Sequence, residues 1–239
     1  MKGVILAGGS GSRLYPMTKV INKHLLNIYN KPMIYYPIQT LVEAGIDQIM
    51  IVTGGNNAGS FLELLGNGEE FGLEEMHYAY QSGAGGIAEA LSLVKGFVGD
   101  SKFVVILGDN ILENSIKSYV DKFKEQDRGA KILLTTSKTP ERFGVANLDG
   151  DKILSITEKP KNPESSNIVI GVYMYDKEVF SAISEQTRSD RGELEITDVN
   201  NYYIDRGSLT SDFIDGWWTD AGTVESLLKA NILLGDKIE

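Results

Sequence analysis

The sequence predicts an α/β fold: a mainly parallel mixed sheet flanked by helices, with a hairpin-rich second half. Three observations predict it. Short continuous apolar runs, such as residues 3–7 and 103–107, read as strands of a parallel sheet, whose two faces are both covered. Between these runs lie segments with apolar residues at helical spacing, and glycines punctuate the changes. Beyond residue 113 the alternation gives way to hairpin signals.

The elements follow in order. Residues 3–7 form a strand that stops at a glycine cluster, 32–44 a helix closed by Gly45, and 48–53 a buried strand closed by Gly54 and Gly55. Residues 61–65 predict a helix ended by the Gly66-Asn67-Gly68 turn, 76–80 a strand, 86–95 a helix and 103–107 a strand. The second half predicts a helix over 115–125, a strand over 131–137 and two short strands flanking Leu148-Asp149-Gly150-Asp151. A strand over 168–175 and helices over 195–205 and 223–234 complete it, with a loop at 161–166. At 239 residues the chain suits one large domain better than two, so a single domain with lobes of about 1–112 and 113–239 is expected.

Composition removes several function classes. With 42% hydrophobic and 23% charged residues the chain is a globule, not a disordered segment. The absence of cysteine excludes disulfide scaffolds, thiolate zinc sites and cysteine nucleophiles. Two histidines, His24 and His77, are too few for a histidine-rich metal site, although carboxylates still suit a hard cation. The opening apolar run is too short for a signal peptide, and no segment reaches the roughly 18 apolar residues of a membrane helix. A cytoplasmic protein without membrane partners is expected. The net charge of −10 argues against a nucleic-acid surface. It leaves small anionic substrates open, because a phosphate site needs only local cations and backbone N–H groups.

Leu6-Ala7-Gly8-Gly9-Ser10-Gly11-Ser12-Arg13-Leu14 follows the first strand directly. Ligands in open α/β sheets sit beyond the carboxyl ends of the strands, and glycines let a backbone approach phosphate closely. A Walker loop would end in Gly-Lys-Ser/Thr, and a dinucleotide fingerprint would carry glycine where Leu14 stands. Neither fits. A phosphate loop and a plain tight turn remain, and Arg13 favours the former, since a guanidinium spans two phosphate oxygens. Asp109, just past the strand at 103–107, and Asp220, after Trp217-Trp218-Thr219, are the metal candidates; each alone also fits a turn or helix cap.

Taken together, residues 6–18 (LAGGSGSRLYPMT), Asn22-Lys23-His24-Leu25-Leu26, residues 31–37 (KPMIYYP) and Leu107-Gly108-Asp109-Asn110 resemble the sugar-nucleotide pyrophosphorylases. Within them, the resemblance is to the glucose-1-phosphate thymidylyltransferases. It continues through Arg142-Phe143-Gly144-Val145, Glu158-Lys159-Pro160, residues 191–198 (RGELEITD) and residues 218–223 (WTDAGT), over nearly the whole chain. The resemblance implies a Rossmann-like, nucleotide-diphospho-sugar transferase fold and an Mg²⁺-dependent reaction of dTTP with glucose 1-phosphate, giving dTDP-glucose and pyrophosphate. UTP, or another hexose 1-phosphate, is the alternative substrate. A non-catalytic sugar-nucleotide-binding subunit is the alternative of another class. A homo-oligomer, dimer or tetramer, is compatible with it.

The chemistry matches the composition. A phosphate monoester has its second pKa at about 6, so the attacking oxygen is ionised near neutrality and needs no strong base. The obstacle is repulsion between anions, which cations, a metal and alignment overcome. The resemblance implies that Arg13, Lys23, Asp109 and Lys159 are catalytic. Nucleotide contacts fall to Leu6, Ala7, Gly8, Gly9, Gly11, Ser12, Arg13, Lys23, Gln81, Gly86 and Asp109. Sugar-phosphate contacts fall to Asn110, Gly144, Glu158, Lys159, Gly171, Tyr173 and Arg191, and Mg²⁺ to Asp109 and Asp220.

Departures from the family pattern cluster on the base and ribose side. His24 stands for glutamine and Asn27 for proline, residues 81–90 lack the family's prolines, Gly85 replaces its aspartate, and Glu89 replaces a glutamine. Thr219 and Ala221 replace leucine and threonine beside Asp220. The long members continue past the last helix, so their C-terminal regulatory site and tetramer contacts are not carried over.

Overall fold

Strands form where the apolar runs lie. In the computed structural model, which describes residues 1–55 and 58–236, they are β1 (Lys2–Ala7), β2 (Asn27–Ile28), β3 (Lys31–Pro32), β4 (Gln48–Gly54), β5 (Glu75–Gln81), β6 (Phe103–Leu107) and β7 (Asn110–Leu112). They continue as β8 (Ala130–Thr136), β9 (Gly144–Asp149), β10 (Lys152–Glu158), β11 (Asn167–Tyr175), β12 (Leu209–Phe213) and β13 (Trp218–Asp220). The helices are α1 (Tyr35–Glu43), α2 (Ala58–Leu65), α3 (Ile87–Ser92), α4 (Lys95–Val98), α5 (Lys117–Glu125), α6 (Val179–Ser184), α7 (Ile196–Asp205) and α8 (Val224–Gly235). The sheet is mixed and helix-flanked, in agreement with the fold class read from the sequence.

The chain forms two compact units. The first runs from Met1 to Ala84, resumes over Ile106–Lys117 and again from Gly216; the second takes Gly85–Val105 and Ser118–Asp215. The chain therefore crosses between units several times instead of once near residue 112. The last return occurs because β13 pairs antiparallel with β7 and α8 follows it.

In the first unit the strand order is β1-β4-β5. β1 and β4 pair in parallel from Gly3↔Ile49 to Ala7↔Thr53, and β4 and β5 from Gln48↔Glu75 to Gly54↔Gln81. The carboxyl ends of three strands thus finish level, next to the glycine turn, which is where such sheets bind ligands. Val4, Ile5, Ala7, Ile49, Ile51 and Val52 are wholly buried. A second cluster, Leu14, Ile28, Met33, Ile111, Ala221, Leu227 and Ala230, packs the glycine turn, β7 and α8 together. Its leucine, isoleucine and methionine side chains are each worth roughly 1.5–3 kcal/mol on burial, which helps fix the elements that carry the polar groups.

In the second unit β10, β9, β11 and β6 lie side by side, β8 joins β11, and β12 pairs in parallel with β8. The β9–β10 hairpin closes at Asp149↔Lys152, with Gly150 at φ 59° supplying the left-handed turn position. Helix α7 is fastened to β10 by Asn201, whose amide accepts from the Ile156 N–H at 3.0 Å and donates to its carbonyl at 2.9 Å.

Several sequence expectations need correction. The helix predicted over 32–44 begins only at Tyr35, because the Met33 and Ile34 N–H groups bond to Leu26 and His24 carbonyls and Pro32 lies in β3. The helix predicted over 86–95 is two helices, with Gly86 outside the first as its N-cap at φ 95°. The helix predicted over 115–125 starts at Lys117. Helix α6, strand β12 and the β7–β13 ladder were not predicted; each is too short to show a period.

Candidate functional site

Site residues fall into one cluster in each unit. In the first, β1 delivers the chain to Gly8, Gly9 and Gly11, and the turn closes in a 3-10 helix, Ser12–Leu14, capped by Gly11 at φ 66°. Leu14 anchors this turn in the core while Ser12 and Arg13 stay exposed. A Cβ on Gly8 would approach the Gln81 amide oxygen to 3.0 Å, and one on Gly9 would meet the Lys23 stem at 3.3 Å. The glycines make room for these two side chains. Leu6 and Ala7 are buried, and the Leu6 carbonyl accepts from the Gly108 N–H at 2.9 Å.

Lys23 opens a second 3-10 turn, Lys23–Leu25, whose cap is Asn22 accepting from the His24 N–H at 3.0 Å. The Lys23 ammonium lies 2.5 Å from Asp109 Oδ2, with both side chains largely covered. Asp109 sits between β6 and β7. Its Oδ1 accepts from the Asn110 amide at 2.9 Å, and Asn110 Oδ1 in turn accepts from the Trp218 indole N–H at 2.7 Å. Burial pushes the Asp109 carboxyl up, but the Lys23 charge and the Lys23 and Asn110 hydrogen bonds outweigh it and hold the group well below the ordinary carboxylate range. His24 is buried as a neutral imidazole: burial, and then the adjacent Lys23 charge, lower it to about 3. Its ring packs on Gly108, whose Cβ would stand 2.7 Å from His24 Cδ2.

The β7–β13 register sets Asp220 opposite Asn110, and the Ala221 N–H donates to the Asp109 carbonyl at 2.8 Å. This brings the two predicted metal ligands together. The point where a Gly222 Cβ would stand lies 3.3 Å from Asp109 Oδ2, 3.3 Å from Arg13 Nη2 and 3.5 Å from Asp220 Oδ2. Two carboxylates and one guanidinium therefore border a gap kept open by a glycine. No group of three or more acidic or histidine side chains able to hold a metal occurs among the described residues. A pair of carboxylates fits a hard cation that completes its shell with phosphate oxygens and water.

The second cluster stands at the open end of the β9–β10 hairpin, where Glu158 pairs with Gly144. Glu158 Oε2 accepts from the Thr197 hydroxyl at 2.7 Å, and Oε1 lies 3.0 Å from the Lys159 ammonium. Burial raises the Glu158 carboxyl, but the Thr197 bond, then Lys159 and Arg191, bring it below its ordinary value. Lys159 has φ 41°, unusual for a residue with a side chain. Arg191 grips Glu195 with Nε to Oε1 at 3.2 Å and Nη2 to Oε2 at 2.7 Å, and reaches Glu158 at 3.4 Å. Gly144 leaves space beside Thr197 Oγ1 and Glu158 Oε2, 3.4 and 3.6 Å from its would-be Cβ.

Most of the residues singled out from sequence thus gather in these two clusters. Gly86 lies in the second unit against Leu194, and Gly171 lies in β11 where its register with β8 shifts. Tyr173 is placed in the core, its ring stacked on Tyr175 at 6.1 Å. Gly222, Trp218, Thr197, Glu195 and Asn22 were missed. Trp218, Thr197 and Gly222 act on residues distant in sequence, whereas Glu195 grips Arg191 four residues away and Asn22 caps His24 two residues away; all five stand inside or beside the quoted motifs without being singled out for a role.

The nucleotidyl transferase family model matches residues 2–237. The glucose-1-phosphate thymidylyltransferase of Neisseria meningitidis is 42% identical over 96% of this chain and 81% of its own length. That of Mycolicibacterium smegmatis is 40% identical over 97% and 81%. A crystal structure from Bacillus anthracis, provisionally named a glucose-1-phosphate thymidylyltransferase and solved with sucrose, superimposes with a TM-score of 0.94 at 55% identity, covering 99% of this chain and 96% of that one. UDP-glucose pyrophosphorylase bound to UDP-glucose superimposes with a TM-score of 0.85 at 25% identity, covering 99% and 98%. No helix among the described residues is long and apolar enough to cross a membrane. With the family model matching residues 2–237 and relatives at about 40% identity over most of their own length, the chain belongs to the nucleotidyl transferase family.

Proposed function

We propose that this protein joins dTTP to glucose 1-phosphate. An oxygen of the sugar phosphate attacks the α-phosphorus, the bond from that phosphorus to the bridging oxygen breaks, and pyrophosphate leaves with the electron pair. No proton need move, because the nucleophile is already ionised. The observation that carries this reading is the convergence of Arg13, Lys23, Asp109 and Asp220 at the glycine turn.

In this reading the backbone of Gly8 to Gly11 receives the phosphates, while Arg13 and Lys23 neutralise charge on the departing pyrophosphate. Gln81 offers both a donor and an acceptor to a pyrimidine edge. Lys159 and Arg191 counter the sugar phosphate, and Glu158, kept ionised, accepts from a sugar hydroxyl. Asp109 and Asp220 are the residues to hold Mg²⁺, which when bound supplies charge neutralisation on phosphate oxygens.

Pyrophosphate release by the purified protein with Mg²⁺, tested over a panel of nucleoside triphosphates and sugar 1-phosphates, decides the matter. The dTTP and glucose 1-phosphate pair should give the highest kcat/KM. Preference for UTP would reassign the base, since thymine and uracil share their hydrogen-bonding edge and one methyl discriminates only about 10- to 200-fold. No release with any pair would remove the enzymatic reading.

A further inference from the structure

The turn that leads into α3 is covered by a carboxylate from α3 itself. A Cβ built on Gly85 would stand 2.0–2.1 Å from all three heavy atoms of the Glu89 carboxyl group, so that group fills the space a side chain at position 85 would take. The Gly85 backbone angle is not what demands glycine, for its φ is not among the positive values. Arg188 holds the carboxylate in place. Its Nη2 donates to Glu89 Oε2 at 2.5 Å and its Nη1 donates to the Gly192 carbonyl at 2.8 Å. One guanidinium therefore joins α3 to the segment at 188–195.

The backbone repeats the connection. The Leu194 N–H donates to the Gly85 carbonyl at 2.9 Å, and the Ala88 N–H donates to the Leu194 carbonyl at 3.3 Å. Between them Gly86, at φ 95°, lies so close that a Cβ would stand 2.6 Å from the Leu194 carbonyl oxygen. The segment carrying Leu194 also carries Glu195, which grips Arg191. Position 86 is thus set by how firmly residues 85–88 are pressed on residues 192–195.

We propose that the Glu89–Arg188 pair is a latch that positions the Gly85–Gly86 turn for the nucleotide, the carboxylate being supplied from α3 because position 85 has no side chain. The proposal rests on the assignment of Gly86 to the nucleotide site. Neither Glu89 nor Arg188 touches substrate in it; both are positioning residues. The pair is partly exposed, with the Arg188 side chain 52% and the Glu89 side chain 25% accessible, so it contributes little to global stability. Its effect is read in binding and in local order.

Three variants test it: Glu89→Ala, Gly85→Asp, and the two combined. Glu89→Ala removes the latch and should raise KM for dTTP about tenfold with kcat within about twofold. Amide exchange at Ala88 and Leu194, followed by NMR, should quicken by a similar factor. Gly85→Asp alone collides with Glu89 and should be the worst of the three. In the double variant the aspartate occupies the vacated space within reach of Arg188, and should recover both exchange and KM to within about threefold. Unchanged exchange in Glu89→Ala overturns the latch whatever the activity. Faster exchange with unchanged dTTP affinity, measured calorimetrically, overturns its role toward the nucleotide. If the unaltered protein releases no pyrophosphate with any triphosphate, the proposed function fails, while exchange and affinity still decide the latch.

Discussion

Lys23 and Asp109 form a 2.5 Å ion pair at the mouth of the glycine turn, and the bonded oxygen, Asp109 Oδ2, is also the one that faces Asp220 and Arg13 across the Gly222 gap. A single carboxylate oxygen therefore bonds the lysine and borders the gap that Asp220 and Arg13 also line. Leaving one partner of a covered pair uncompensated costs about 3–5 kcal/mol, so removing either charge alone is unfavourable.

Asp109→Asn should lower turnover by at least about 100-fold, since both the metal ligand and the Lys23 counter-charge are lost. Pyrophosphate release under saturating substrate measures it. Near-normal turnover would show that Asp109 is not the ligand.

Gly222→Ala should weaken metal use without unfolding the protein. The added methyl would stand 3.3 Å from Asp109 Oδ2 and Arg13 Nη2, tight enough to push them apart by tenths of an ångström. We expect the Mg²⁺ concentration for half-maximal activity to rise about tenfold, an effect of roughly 1.4 kcal/mol, with Tm nearly unchanged. Equal Mg²⁺ dependence in the two proteins would contradict the placement.

The buried His24 makes stability depend on pH. Its pKa falls from 6.5 to about 3 on folding, so between these values the unfolded chain binds the proton and the folded one does not. Stability contributed by His24 is complete above pH 6.5 and is lost as pH falls toward 3. His24→Gln should flatten denaturation midpoints over that window, with a difference of a few kcal/mol at most by proton linkage. Parallel curves for the two proteins would rule His24 out as the titrating group.

Glu195→Gln should loosen Arg191, because a neutral amide keeps the shape of the clamp but gives up its charge. KM for glucose 1-phosphate should rise about tenfold, within the usual range of charge-assisted bonds, while KM for dTTP stays within about twofold. An unchanged sugar-phosphate KM would remove Arg191 from that subsite.

Local pattern and motif order made much legible without coordinates. The buried strands β1, β4 and β6, the glycine turn and the hairpin at Gly150 could be read because burial on both faces leaves an unbroken apolar run, and positive φ leaves a glycine. What sequence could not supply were partnerships across long separations. That Trp218 orients Asn110, that Gly222 keeps a gap between Asp109 and Asp220, and that Glu89 fills the place of a side chain at Gly85 follow from strand register and packing. Helix starts at Tyr35 and Ile87 were set the same way, by backbone bonds to Leu26, His24 and Leu194. The sequence by itself determined which groups carry the charge and where the chain turns, because those properties belong to single residues and their neighbours. The tertiary structure alone decided which oxygen faces which cation, because a side chain's partner depends on distances that no local pattern encodes.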